Sequence, residues 1–117
     1  MNSKSICLMS GVHLVGITHV DDLHYAIVGN FALPHHRIAF VPMGGLTAQK
    51  SVNALKHFAI EHEFIVFIVA SFPVAKTPPR LFEQDVSTIM DIDGWSKEVT
   101  ITKCQNGPIG NFPLYKA

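Results

Sequence analysis

At 117 residues the chain has room for one ordinary domain and not for a second, and a domain of that size buries roughly two-thirds of the surface its unfolded chain exposes, enough for a core without staples. Nine Lys and Arg balance nine Asp and Glu, which excludes a general attraction to nucleic acid or to an anionic membrane, since either needs a basic face. Charged residues are only 15% of the chain, where about 25% is usual, so part of the surface is expected to be covered by a second copy in a homodimer or by a protein partner.

In chain order, residues 5–9 are apolar and Ser10-Gly11 is a turn signal. Residues 12–18 are apolar again, with His13 and Gly16 inside. A hairpin is the natural reading, with a short helix after Gly11 as the alternative. Asp21-Asp22 breaks the pattern, and residues 25–31 read as a strand. A proline-centred connection, 32–36, leads to a strand over 37–41 that Pro42 stops. Two strands joined by so short a loop predict an antiparallel hairpin.

Gly44-Gly45 is a loop, and Thr47 is the predicted N-cap of a helix over 47–63. Ala48, Val52, Leu55 and Ala59, joined by Phe58, make its apolar stripe. Gln49, Lys50, Asn53, Lys56, His57 and Glu61 take the other side. The helix runs straight into Phe-Ile-Val-Phe-Ile-Val-Ala over 64–70. An unbroken run of β-branched and aromatic residues reads as a strand buried on both faces. Thr77-Pro78-Pro79 then predicts a second helix, with Pro in its first turn. Leu81, Phe82, Val86, Ile89, Met90 and Ile92 would form its apolar face, with Glu83, Gln84 and Asp85 early, where the helix dipole favours negative charge. Asp93-Gly94 closes it. Residues 98–102 alternate polar and apolar, as in a half-exposed strand. Asn106-Gly107-Pro108 is a turn, and the tail to Ala117 docks as a final short strand.

This order predicts an α/β fold, with α+β as near neighbour: one globular domain over 1–117, a mixed sheet of about five to seven strands, and two main helices. Residues 37–70 form a βαβ unit with parallel strands and a right-handed crossover. Lys4 and a short apolar patch at the start, interrupted by Gly11, His13 and His19, do not make a signal peptide. A cytoplasmic location is expected. Cys7 and Cys104 fall in predicted strands and read as small buried hydrophobes rather than a disulfide framework.

Seven histidines raise the question of a metal or an acid–base group. His57 and His62 are five residues apart on a helix, about 140° apart around its axis, which is wrong for joint ligation. His19, Asp22 and His24 are the best local set for a metal, yet they need a further ligand from elsewhere. Without one they are surface histidines on a lightly charged exterior. Gly44, Gly45 and Thr47, between a strand and a helix start, resemble the arrangement that binds anions through free backbone N–H groups, and Lys50 would add charge. The same residues also suit an ordinary βα turn, and neither a P-loop nor a G-x-G-x-x-G pattern is present. No serine lies in a G-x-S-x-G elbow, and no nucleophile is assigned. Trp95 suits ligand stacking or a place at the edge of the core.

Two functional classes remain. The first is a non-enzymatic binding or interaction protein, homodimeric and without cofactor. The second is a small enzyme or ligand-binding domain for a phosphate-bearing metabolite, placed at the carboxyl ends of the parallel strands. There Gly44, Gly45, Thr47 and Lys50 would hold the anion, and His35 or His36 would supply the acid or base. In a βαβ unit, however, the histidine loop and the glycine loop sit at opposite ends of the sheet.

Overall fold

The run Phe64–Ala70 forms strand β3, and four of its seven residues, Ile65 to Ile68, are at most 1% exposed. Its neighbours explain this burial. In the computed structural model, which describes residues 6–33, 37–105 and 107–114, β3 lies between β1 (Gly11–Thr18) and β2 (Arg37–Pro42), parallel to both. Strand β4 (Thr88–Asp93) continues the parallel set beyond β1. Strands β5 (Glu98–Cys104) and β6 (Gly110–Pro113) then add on as antiparallel strands. The result is a mixed six-stranded sheet in the order β2-β3-β1-β4-β5-β6, an α/β fold with the βαβ unit at 37–70.

Three helices complete the elements: α1 (Leu23–Val28), α2 (Gln49–Glu61) and α3 (Arg80–Glu83). Their sides follow from strand order. A right-handed crossover is nearly obligatory between parallel strands, so the direction of travel along the sheet selects the face. The chain moves from β1 outward to β2, then back to β3, then past β1 to β4. The first move is opposite to the next two, so α1 covers one face while α2 and α3 cover the other. The two apolar clusters match this division. Ile27 of α1 packs with Val15, Ile65, Phe67, Met90 and Ile92. Val52 and Ala59 of α2 and Phe82 of α3 pack with Val12, Leu14, Val66, Ile68 and Ile89. None of the helices among the described residues is long and apolar enough to cross a membrane.

Several local expectations are corrected. Residues 25–31 are not a strand: Asp22 accepts a hydrogen bond from the Tyr25 backbone N–H at 3.1 Å and starts α1 there. A short apolar run does not distinguish helix from strand by periodicity, and the capping carboxylate decides it. The two expected hairpins are therefore absent. Residues 6–8 instead cross the α1 face, bridged at Cys7 to Ala32, with Ile6 and Leu8 in the core. Thr47 does not cap α2; Ala48 occupies the N-cap with no side-chain bond.

The second helix starts later than expected and is short: Pro79 is its N-cap with no side-chain bond, so Thr77 does not cap it and no proline lies in its first turn, and it ends at Glu83. Residues 88–93 are strand β4, whose Ile89 turns to one cluster and Met90 and Ile92 to the other. Asp85 does not serve the helix dipole. It is 9% exposed and receives Gln49 Nε2, Asn53 Nδ2 at 3.3 Å and Lys56 Nζ at 3.9 Å, all from α2. The polar stripe of α2 thus partly faces a buried carboxylate. Neither cysteine is buried: Cys7 is exposed and Cys104 half-buried. Of the predicted last turn, Asn106 lies outside the described residues.

Among the described histidines His13 is the exception: it is 1% exposed, inside β1. Its Nε2 lies 2.9 Å from the Met9 carbonyl, which can only accept, so Nε2 carries the proton. Nδ1 then accepts the Thr88 hydroxyl at 2.8 Å. Burial pushes the pKa down from 6.5 to about 4, against the upward pull of the Met9 carbonyl. The unfolded chain therefore binds a proton that the native chain refuses between those two values. Stability should fall as pH drops from 6.5 to about 4, by on the order of 3 kcal/mol in total. Urea midpoints across that window should show the fall in the native chain and a shallower one in His13→Gln. Phe67, 0% exposed, gives a second check: Phe67→Ala should lower unfolding free energy by about 3–5 kcal/mol.

Candidate functional site

Opposite crossover directions at neighbouring strands open a gap. The segment leaving β1 departs toward the α1 face, and the segment leaving its neighbour β3 departs toward the α2 face. In open α/β sheets, ligand crevices form where connections diverge at the carboxyl ends of the strands. A cleft of about 680 Å³ lies there. Ile17, Thr18 and His19 line it from the end of β1, Phe40 and Pro42 from β2, and Val69 and Ser71 from the end of β3. A second hollow, about 450 Å³, shares His19 and Val20 with it and runs between α1 and the β4–β5 turn, with Asp21, Asp22 and Lys97 on its walls.

Both rims are tied down. On the β1 side, Gly94 N–H donates to the Thr18 carbonyl at 2.9 Å. A Cβ at Gly94 would fall on the His19 carbonyl, so only glycine permits this approach. His19 itself takes a left-handed backbone, φ 56°. The Trp95 indole then stacks flat on the His19 imidazole, centroids 3.5 Å apart and planes 4° apart. Asp93 accepts the Trp95 backbone N–H at 2.9 Å. That bond, with smaller contributions from Ser96 and from the charge of His19, holds the Asp93 carboxyl below its ordinary range.

On the β3 side, the Asp91 carboxylate accepts the backbone N–H groups of Val74 at 2.7 Å and Ala75 at 3.1 Å. The Thr102 hydroxyl donates to the Ala75 carbonyl at 2.8 Å. This loop lies against Gly16, where a side chain would meet Phe72 and Asp91.

The residues singled out from sequence are placed differently. Gly44 and Gly45 form a 3₁₀ turn with Met43 directly after β2, and no atom lies within 4 Å of where their side chains would be. The Leu46 N–H after it is already bonded to the Met43 carbonyl at 3.0 Å. Thr47 and Lys50 are exposed, and none of the four lines the cleft. His19, Asp22 and His24 do not converge. His19 stacks on Trp95, Asp22 caps α1, and His24 stands T-shaped to Phe40 with ring centroids 6.1 Å apart. Among the described residues no three His, Cys, Asp or Glu side chains gather to hold a metal. His35 and His36 lie outside the described residues, and the strand after them starts at Arg37, the far end of β2 from the cleft.

Of the walls at Ile17–Val20 and Phe40–Pro42, sequence singles out only His19, and as a metal ligand. The signal for the first was available only if residues 12–18 were read as a parallel strand, because the ends of parallel strands are where crevices sit.

The glycine tie gives a local test. Gly94→Ala should lower stability by more than the roughly 1 kcal/mol of a typical substitution. It should also raise the solvent quenching of Trp95 emission, as the indole leaves His19. Compared with known proteins, the chain matches no family model, no curated protein and no solved structure, so the site's own geometry carries the functional argument.

Proposed function

We propose that this protein is a non-enzymatic binding domain that holds a small organic molecule in the cleft at the carboxyl ends of β1, β2 and β3. The single observation supporting this is that the cleft coincides with the point where the connections leaving β1 and β3 diverge. Its volume, about 680 Å³, lies within the roughly 300–1,000 Å³ usual for ligand sites, and an apolar lining with a few polar groups is their usual chemistry. Thr18, His19 and Ser71 are those polar groups. Among the described residues no Lys, Arg, Asp or Glu lines the cleft, which favours an uncharged ligand over the phosphate-bearing one.

A thermal-shift screen with small apolar organic molecules tests the reading. At a hundredfold excess over Kd, a ligand should raise the melting temperature by on the order of 10 °C. The rise should vanish in Ser71→Trp, which fills the cleft from an exposed position. No shift with any compound, or an equal shift in Ser71→Trp, overturns it.

A second reading, self-association, is favoured by the outer edge of β2. Among the described residues no strand pairs with it. An open strand edge is a template for another chain. Light scattering at micromolar concentration should give twice the chain mass. A monomer persisting at hundreds of micromolar removes this reading.

A further inference from the structure

Resting on the cleft as the binding site, we propose that its ligand is a flat, uncharged heteroaromatic molecule seated against the His19 imidazole and the Phe40 ring. The argument begins with what backs each ring. One face of His19 is covered by Trp95 at 3.5 Å, so the surface it gives the cleft is the one the indole leaves open. Phe40 lies beside Phe67, centroids 5.6 Å apart and planes 27° apart, and stands T-shaped to His24, centroids 6.1 Å apart. Each ring lining the cleft is therefore held in place by a second ring before any ligand arrives. Such a ring loses little freedom on binding, and that is what makes a stacking surface effective.

Exposure points the same way. Trp95 is 77% and Phe40 36% exposed, yet both are fixed in stacked or paired geometry instead of being folded inward. Aromatic faces are covered best by another flat ring, offset-stacked or edge-on. An aliphatic ligand would bury the same apolar area without using the ring faces. The Thr18 and Ser71 hydroxyls are each donor and acceptor, which suits ring nitrogens or an exocyclic amine. A charged ligand would leave its charge unpaired among Ile17, Pro42 and Val69.

Trp95 is the only tryptophan in the chain, so its indole N–H gives one unmistakable nuclear magnetic resonance signal beside His19. We would titrate the full chain with benzimidazole and adenine at neutral pH, and separately with cyclohexanol and cyclohexanone. The aromatic probes should shift the indole signal and the amides of residues 17–20 saturably. Their Kd should be about tenfold below those of the alicyclic probes. His19→Ala and Phe40→Leu should each weaken aromatic binding about fivefold, whereas Phe40→Tyr, which keeps the ring, should retain it. Equal Kd for the two classes overturns the aromatic assignment and leaves the cleft as a general apolar site. Aromatic binding unchanged in both His19→Ala and Phe40→Leu also overturns it, since the ligand then sits elsewhere. Absence of any cleft perturbation by all four probes overturns the binding reading itself.

Discussion

The structure depends on the mutual cover between β1 and β3. Residues 11–16 of β1 and Ile65 to Ile68 of β3 are buried along their lengths, and the two strands lie side by side in parallel register from Gly11↔Ile65 to Gly16↔Ala70. With no wet face on either strand, both sides of the sheet must be roofed. The roofing material is limited: one helix of 13 residues and the four-residue α3 on one side, and on the other a 6-residue helix supplemented by residues 6–8 crossing that face. The bridge at Cys7 and Ala32 is thus part of the core's closure, because it sets Ile6 and Leu8 over the face that α1 is too short to cover.

The same strand pair creates the opening at the other end. Side chains can seal a sheet face, but they do not seal the end of a strand where the chain must turn away. Because the two central strands hand their connections to opposite faces, the space between those connections is filled by neither. The groups that bound it are held by backbone contacts as much as by packing: the Gly94 approach to the Thr18–His19 backbone, the Asp91 carboxylate on two N–H groups, and the Asp93 carboxylate on a third. Polar atoms fix the rim while apolar ones line the interior.

Much of the frame was legible because its signals were redundant. The run over 64–70 has strand composition, strand length and no wet face, and α2 has both a clear apolar stripe and a charged side. The βαβ unit followed from those two. What failed were segments whose local pattern is shared by two structures. Residues 25–31 contain a contiguous apolar run that suits either a strand or one turn and a half of helix, and a single oxygen on Asp22 decides between them. Residues 86–92 space their apolar groups as a helix would, because a strand buried on both faces also needs apolar residues at consecutive positions. The site suffered from a different limitation. Its walls are ordinary Ile, Val, Phe and Pro residues at strand ends, which become a cleft only through strand order, and strand order is set by contacts far apart in sequence. The glycine pair and the histidines drew notice for their chemistry, yet the fold leaves Gly44 and Gly45 in open space and spends His13 as a neutral hydrogen-bonding member of the core.

The two margins of the sheet are unequal. At one side β2 presents a six-residue edge. At the other, β6 is only four residues long; both edge strands end in a proline, Pro42 and Pro113, a residue with no N–H to offer. Pairing through the long margin would join two copies about a twofold axis and leave the short margins facing outward. Length therefore distinguishes the two margins, and the longer one offers a second chain more backbone partners.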